Sequence, residues 1–221
     1  MHHNRLILEL NVRIARSLPY RGRVVDLGCG TCPYKDWILS VADEYVGVDW
    51  GNSFHDSSCV DIVADLTKRL PIEDGFADTV VSFQVMEHLP EPLDFLKECH
   101  RILRGGGQLF ITVPFMWHVH EAPYDYFRYT RHGLTYLLQK SGFTDIDVRE
   151  NTGFWQMWIL KFNYYVAAAT PARLHLLWRP VWWLGQRVAP WLDRVGPTPQ
   201  ETASYTVVAA RPDTVPDAIP R

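Results

Sequence analysis

The chain has 221 residues, 47% of them hydrophobic and 21% charged, with a formal net charge of -3. This is enough apolar material for a full core, which excludes a disordered chain, and enough length for one α/β domain with an addition. The acidic balance excludes a general nucleic-acid binder, whose phosphate contacts need a basic face.

No signal-peptide pattern opens the chain. Ile7, Leu10 and Ile14 recur at helical spacing, with Asn4 as the candidate cap and an end near Leu18-Pro19. Residues 23–27 predict a first strand, followed by Gly28-Cys29-Gly30 and a helix after Pro33. Residues 45–48 predict a second strand ending at Asp49, and residues 60–64 a third. Residues 78–83 predict a fourth strand, apolar on both faces. Leu89, Leu93, Leu96 and Leu103 then mark a helix, with Gly105-Gly106-Gly107 as its stop before a fifth strand over 108–113. A helix over 131–141 capped by Gly142, a sixth strand around Ile146 and Val148, and a last strand over 205–210 complete the series. Alternating strands and helices predict a Rossmann-like, seven-stranded, mostly parallel sheet with helices on both faces. Residues 1–150 and 203–210 would form this domain, 151–202 a helical insert before the last strand, and 211–221 a disordered tail.

Ligands of such sheets bind at the carboxyl ends of the strands. Gly28 and Gly30 allow left-handed backbone and close ligand approach. A dinucleotide enzyme would place a third glycine where this chain has Pro33. Cys29-x-x-Cys32 lacks a second ligand pair and lies inside the glycine turn, which disfavours a redox or zinc role. The four cysteines, Cys29, Cys32, Cys59 and Cys99, predict no disulfide framework and hence a reducing cytoplasm.

In order along the chain, Val24-Val25-Asp26-Leu27-Gly28-Cys29-Gly30-Thr31, Tyr45-Val46-Gly47-Val48-Asp49, Ala64-Asp65-Leu66, residues 80–89 and Leu103-Arg104-Gly105-Gly106-Gly107 resemble the successive motifs of the class I S-adenosylmethionine-dependent methyltransferases. The resemblance covers residues 20–150 and the final strand, and it implies S-adenosylmethionine as cofactor. The cofactor-binding residues it implies are Asp26, Gly28, Cys29, Gly30, Asp49, Trp50, Asp65, Leu66 and Gln84. Asp49 would accept the ribose hydroxyls, Asp65 the adenine amine with Leu66 packed on the ring, and Asp26 would orient the glycine loop or the methionine ammonium. A donor without phosphates makes the third glycine dispensable, and its sulfonium favours anionic surroundings.

The segment after the fifth strand resembles that of the bacterial "type 11" methyltransferases associated with cell-surface sugar and lipid pathways, through His120, Pro123, Asp125-Tyr126 and Arg128. It implies methylation of a hydroxyl on a sugar or lipid-linked saccharide. An imidazole suits proton transfer from a hydroxyl, so His120 and His88 are the catalytic candidates. His88 could instead be a buried, hydrogen-bonded histidine. His118, Tyr124, Asp125 and Arg128 are substrate-binding candidates, and Asp125 and Arg128, one helical turn apart, could equally brace the loop. No metal is expected, because the histidines lack a closely spaced acid pair. An NAD-type reductase and a non-catalytic scaffold docked at a membrane are the alternatives.

Residues 151–192 hold no Asp or Glu but contain Trp155, Trp158, Trp178, Trp182, Trp183 and Trp191 with Lys161, Arg173, Arg179 and Arg187. Their uncharged runs are too short to span a bilayer. The composition fits either a peripheral membrane element over 154–192, at the inner face of the membrane, or a lid or homodimer face.

Overall fold

The computed structural model describes residues 2–51, 58–198 and 200–213. Most of the tail expected to be disordered lies outside the described residues. The strands are β1 (Arg23–Leu27), β2 (Glu44–Asp49), β3 (Ile62–Val63), β4 (Ala77–Phe83), β5 (Leu103–Pro114), β6 (Thr144–Glu150) and β7 (Ser204–Ala210). The helices are α1 (Arg5–Ser17), α2 (Lys35–Leu39), α3 (Pro92–Ile102), α4 (Arg131–Lys140), α5 (Phe154–Ala169) and α6 (His175–Val195). The strands form one sheet in the order β3-β2-β1-β4-β5-β7-β6, as the mostly parallel expectation requires. Only β7 runs antiparallel, to β5 on one side and β6 on the other.

The central strands alternate their side chains between two cores, as the two-residue period of a strand dictates. Val25, Val80, Leu109 and Ile111 face one core, completed by Leu96 and Cys99 of α3 and Leu134 and Leu138 of α4. Val24, Val81 and Phe110 face the other, with Leu18, Tyr20 and Ile38. The order reverses at β1, where the chain runs out to β2 and β3 and returns to the other side as β4. A cleft therefore opens beyond the carboxyl ends of β1 and β4.

Several local expectations are corrected. Asn4 stands at the α1 N-cap without a side-chain hydrogen bond. Glycines 105–107 do not stop a helix: α3 ends at Ile102, and the glycines fill a bulge in β5 between the Ala77–Leu103 and Thr79–Gln108 pairs. The expectation of no disulfide also fails. Cys32, just past the glycine turn, and Cys59, on the return from β2 to β3, come to a Cα separation of 6.2 Å and are bonded. This pairing withdraws the cysteine-based argument for a reducing compartment. The bond closes a 27-residue separation, worth about 3–4 kcal/mol by the chain-entropy relation. Dithiothreitol is therefore expected to lower the melting temperature of the parent and leave Cys59→Ser unaffected. Equal melting of the two proteins without reductant would show that the bond contributes nothing.

The segment before β7 is a helical hairpin. Asp193, near the end of α6, accepts from the amides of Trp155 and Gln156 at 2.8 and 3.0 Å and so caps the start of α5. Gly153 is needed there for space, since a Cβ would meet Asp193 Cγ at 2.5 Å. The hairpin packs on α1 through Leu6, Met157, Leu160 and Ala189. Gln186 Oε1 also accepts from the Leu6 amide at 2.7 Å. Of the six tryptophans only Trp182 is buried, while Trp155, Trp158, Trp183 and Trp191 are exposed. Among the described residues no helix is long and apolar enough to cross a membrane.

Candidate active site

Beyond the carboxyl ends of β1, β2 and β4 lies a cavity of about 750 Å³. Gly28 and Gly30 build its floor with φ of +82° and +54°. At Gly28 a Cβ would strike Val85 Cγ2 at 2.4 Å, whereas at Gly30 it would enter open space. The bare Gly30 backbone thus leaves room for a ligand against the turn. Asp49 fixes that turn: its Oδ2 accepts from the Gly30 amide and its Oδ1 from the Trp50 amide, both at 2.6 Å. Each oxygen keeps a second lone pair for hydroxyls.

Asp65 is held by its own turn. Its Oδ1 accepts from the Thr67 amide at 3.0 Å and the Thr67 hydroxyl at 2.7 Å, and Lys68 lies 3.1 Å from Oδ2. These bonds, the Thr67 hydroxyl first, hold its carboxyl below the usual range. Leu66 beside it is buried. Gln84 leaves β4 with φ of +57°, a strained conformation for a non-glycine residue at a cavity wall. Its amide donates to Thr112 O at 2.9 Å and its side chain to Thr112 Oγ1 at 3.0 Å. Asn11 and Ile14 of α1 also line the cavity, a contribution that hydrophobic periodicity alone does not reveal.

Asp26 is almost fully buried and accepts one bond, from the Tyr45 hydroxyl at 2.7 Å. It makes no hydrogen bond to the glycine loop among the described residues, so the loop-orienting alternative falls away. Burial pushes its carboxyl up to about 7, against the pull of the Tyr45 bond and with help from nearby Asp49. The folded state therefore keeps the proton in a range where the unfolded chain releases it. Stability from this group is full below about pH 3.8 and falls as pH rises toward 7. Asp26→Asn is expected to flatten that slope, gaining on the parent by a few kcal/mol between pH 4 and 7 in urea unfolding. Parallel pH curves would contradict it.

The opposite wall of the cavity is built by the loop after β5 folding back on the short 3-10 turn Met86–His88. The amides of Tyr126 and Phe127 donate to Glu87 O at 2.9 and 3.3 Å, and the Tyr129 hydroxyl donates to Met86 O at 2.9 Å. His88 Nδ1 lies 2.8 Å from Tyr124 O. His88, Glu121, Tyr124 and Tyr126 line the cavity mouth, where the Trp50 and Tyr124 rings meet edge to face 6.0 Å apart. His120 stands behind His88, with ring centroids 5.1 Å apart. His118 instead packs beside Trp117 and Tyr164.

Arg128 grips Asp125 with two bonds of 2.6 and 2.7 Å and donates to His118 O at 2.8 Å. Asp125 also accepts from the His120 amide at 2.9 Å. The guanidinium holds the Asp125 carboxyl well below the usual range. In this arrangement the pair braces the loop. Glu87, absent from the sequence-derived candidates, is fully buried with both carboxylate oxygens unbonded. Burial pushes its carboxyl up to about 8. Its position next to His88 was the available signal.

Residues 25–111 match the family model described as "Methyltransferase domain". A probable S-adenosylmethionine-dependent methyltransferase of Mycobacterium tuberculosis is 36% identical over 96 residues, covering 41% of this chain and 35% of the relative. A ubiquinone biosynthesis O-methyltransferase of Pseudomonas aeruginosa is 26% identical over 103 residues, covering 41% and 43%. The chain thus matches about a third of the length of the first of these relatives and under half of the second. Among solved structures, a SAM-dependent methyltransferase from Archaeoglobus fulgidus superimposes with a TM-score of 0.62 at 16% identity, over 93% of this chain and 94% of that one. Residues 25–111 are thus similar to a methyltransferase domain, and the fold is the one found in S-adenosylmethionine-dependent methyltransferases.

Proposed function

We propose that the protein binds S-adenosylmethionine in the β1–β4 cavity and methylates a hydroxyl presented at its mouth. One observation carries the reading. Asp26, Asp49, Asp65 and Glu121 line the cavity, and no lysine or arginine does among the described residues. Such walls repel a pyrophosphate, which disfavours NAD, and attract a sulfonium and an ammonium. The open space at Gly30, the Asp26 carboxyl bonded only to the Tyr45 hydroxyl, and the free lone pairs of Asp49 fit an amino-acid nucleoside. When bound, the donor supplies the methyl group: its S–CH3 bond breaks with the electron pair returning to sulfur, an O–CH3 bond forms, and the acceptor proton leaves. His88, at the mouth, and His120, behind it, are the residues placed to receive that proton.

The acceptor proposed is a sugar hydroxyl, in its fullest form on a lipid-linked saccharide of a cell-surface pathway. Trp50, Tyr124 and Tyr126 offer ring faces for such a ligand. The oxygen acceptor is in keeping with the similarity to an O-methyltransferase of ubiquinone biosynthesis, and an acceptor from such a pathway is the competing choice. A lipid-linked acceptor draws support from the hairpin, where exposed Trp155, Trp158, Trp183 and Trp191 accompany Arg173, Arg179 and Arg187.

Calorimetry with S-adenosylmethionine and NAD tests the donor, with binding expected for the first alone. Labelled methyl transfer to nucleotide sugars, lipid-linked saccharides and quinols tests the acceptor. Co-sedimentation with anionic vesicles tests the hairpin, and a stable dimer that ignores vesicles would assign it to self-association. Absence of S-adenosylmethionine binding overturns the reading as a whole.

A further inference from the structure

Glu87, His88 and His120 each direct one ligand atom into a common space, all within 4.8 Å of one another. The Glu87 carboxylate is wholly buried, and neither oxygen has a hydrogen-bond partner. Its Oε1 lies 3.8 Å from His88 Nε2, which lies 3.7 Å from Glu121 Oε2. No lysine or arginine comes within ion-pair distance of Glu87 among the described residues, since Arg128 is spent on Asp125. With Nδ1 donating to Tyr124 O at 2.8 Å, His88 Nε2 carries a lone pair. Acceptor atoms therefore converge where no donor answers them. An unbonded buried carboxylate costs too much to persist without a proton or a cation.

We propose that Glu87, His88 and His120 bind a first-row divalent transition ion, zinc in the first instance, with Glu121 at the open side. Two imidazoles and a carboxylate suit zinc and its neighbours, whereas magnesium prefers oxygen throughout. Ligand atoms about 2.1 Å from a tetrahedral ion stand ~3.4 Å apart. The Glu87–His88 and His88–Glu121 separations of 3.8 and 3.7 Å would close by a few tenths of an ångström, and the distances to His120, within 4.8 Å, by about 1.4 Å at most. The outer contacts also fit. A metal-bound imidazole donates its other N–H to a carbonyl or carboxylate. His88 Nδ1 faces Tyr124 O, and His120 Nδ1 has two acceptors, His118 O at 3.3 Å and Asp125 Oδ2 at 3.4 Å, with Arg128 Nη2 also at 3.3 Å.

His88 and Glu121 line the cavity, so the ion would sit at the wall that receives the acceptor. It would hold the acceptor oxygen there and lower its pKa; the histidines would then serve as ligands in place of receiving the proton, which would leave to water. That task rests on the methyl-transfer reading; occupation of the site does not.

The test is calorimetric titration of the chelator-treated full chain with zinc chloride. One equivalent is expected to bind, roughly 100-fold or more tightly than to Glu87→Gln or His120→Ala, since outer contacts alone are worth ~10–100-fold. His132→Ala, altered at an exposed histidine, should bind as the parent does. Cobalt chloride should give a visible spectrum that both ligand variants lose. If Glu87→Gln does not fold, His120→Ala, on the loop, decides alone. No binding by the parent, or unchanged affinity in a folded ligand variant, overturns the proposal. Zinc binding without S-adenosylmethionine binding would leave this site standing and remove the donor reading; the reverse would do the opposite.

Discussion

Asp49→Ala is expected to bind S-adenosylmethionine ~10²–10⁴-fold more weakly than the parent while remaining folded. The size follows from two hydrogen bonds from ribose hydroxyls to one carboxylate, about 1.5–3 kcal/mol each, at 1.4 kcal/mol per factor of ten. A second loss reinforces the first. Asp49 also holds the Gly30 amide at 2.6 Å, so its removal loosens the turn that leaves room for the donor. Asp65→Ala should cost less, about one charged bond, because Leu66 still packs where the adenine would lie. Isothermal calorimetry on both variants, with circular dichroism as the control for folding, measures the two losses. If both folded variants bind the donor as tightly as the parent, the carboxylates are not its grip, and the cavity serves another ligand.

That prediction could be framed from sequence because the residues behind it are local. Strand, glycine turn and acid at the next strand tip are consecutive signals, and the parallel order places them side by side. The same holds for Asp65-Leu66, which follows β3 directly. What escaped depends on segments distant in sequence meeting in space. Glu87 is adjacent to His88, yet its burial needs the loop over 124–127 to fold back onto its carbonyl. Asp193 caps α5 from the far end of the hairpin, and Gln186 ties α6 to α1 across 180 positions. Cys32 and Cys59 meet because β1 and β2 are neighbours, which topology supplies and cysteine counting does not. The Asp125–Arg128 spacing was readable, but two roles share that spacing. The bonds to the His120 amide and His118 O favour the brace.

His120→Ala should leave the donor's Kd unchanged and lower kcat by ~10²–10⁴-fold, the range of a positioned proton acceptor. The separation follows from its place: His120 does not line the donor cavity but stands 5.1 Å behind His88, on the acceptor side. Residual turnover should survive, because alignment of acceptor, methyl and sulfur can supply about 7–11 kcal/mol by itself. If the imidazole takes the proton, a chelator leaves the parent's turnover unchanged. If it holds an ion, the chelator lowers the parent's turnover to that of the variant. His118→Ala is the internal comparison, since that ring packs beside Trp117 and Tyr164 and should affect kcat far less. Full turnover by His120→Ala on the true acceptor would remove it from the chemistry in either role, leaving His88, fixed on Tyr124 O at the cavity mouth, as the residue to test next.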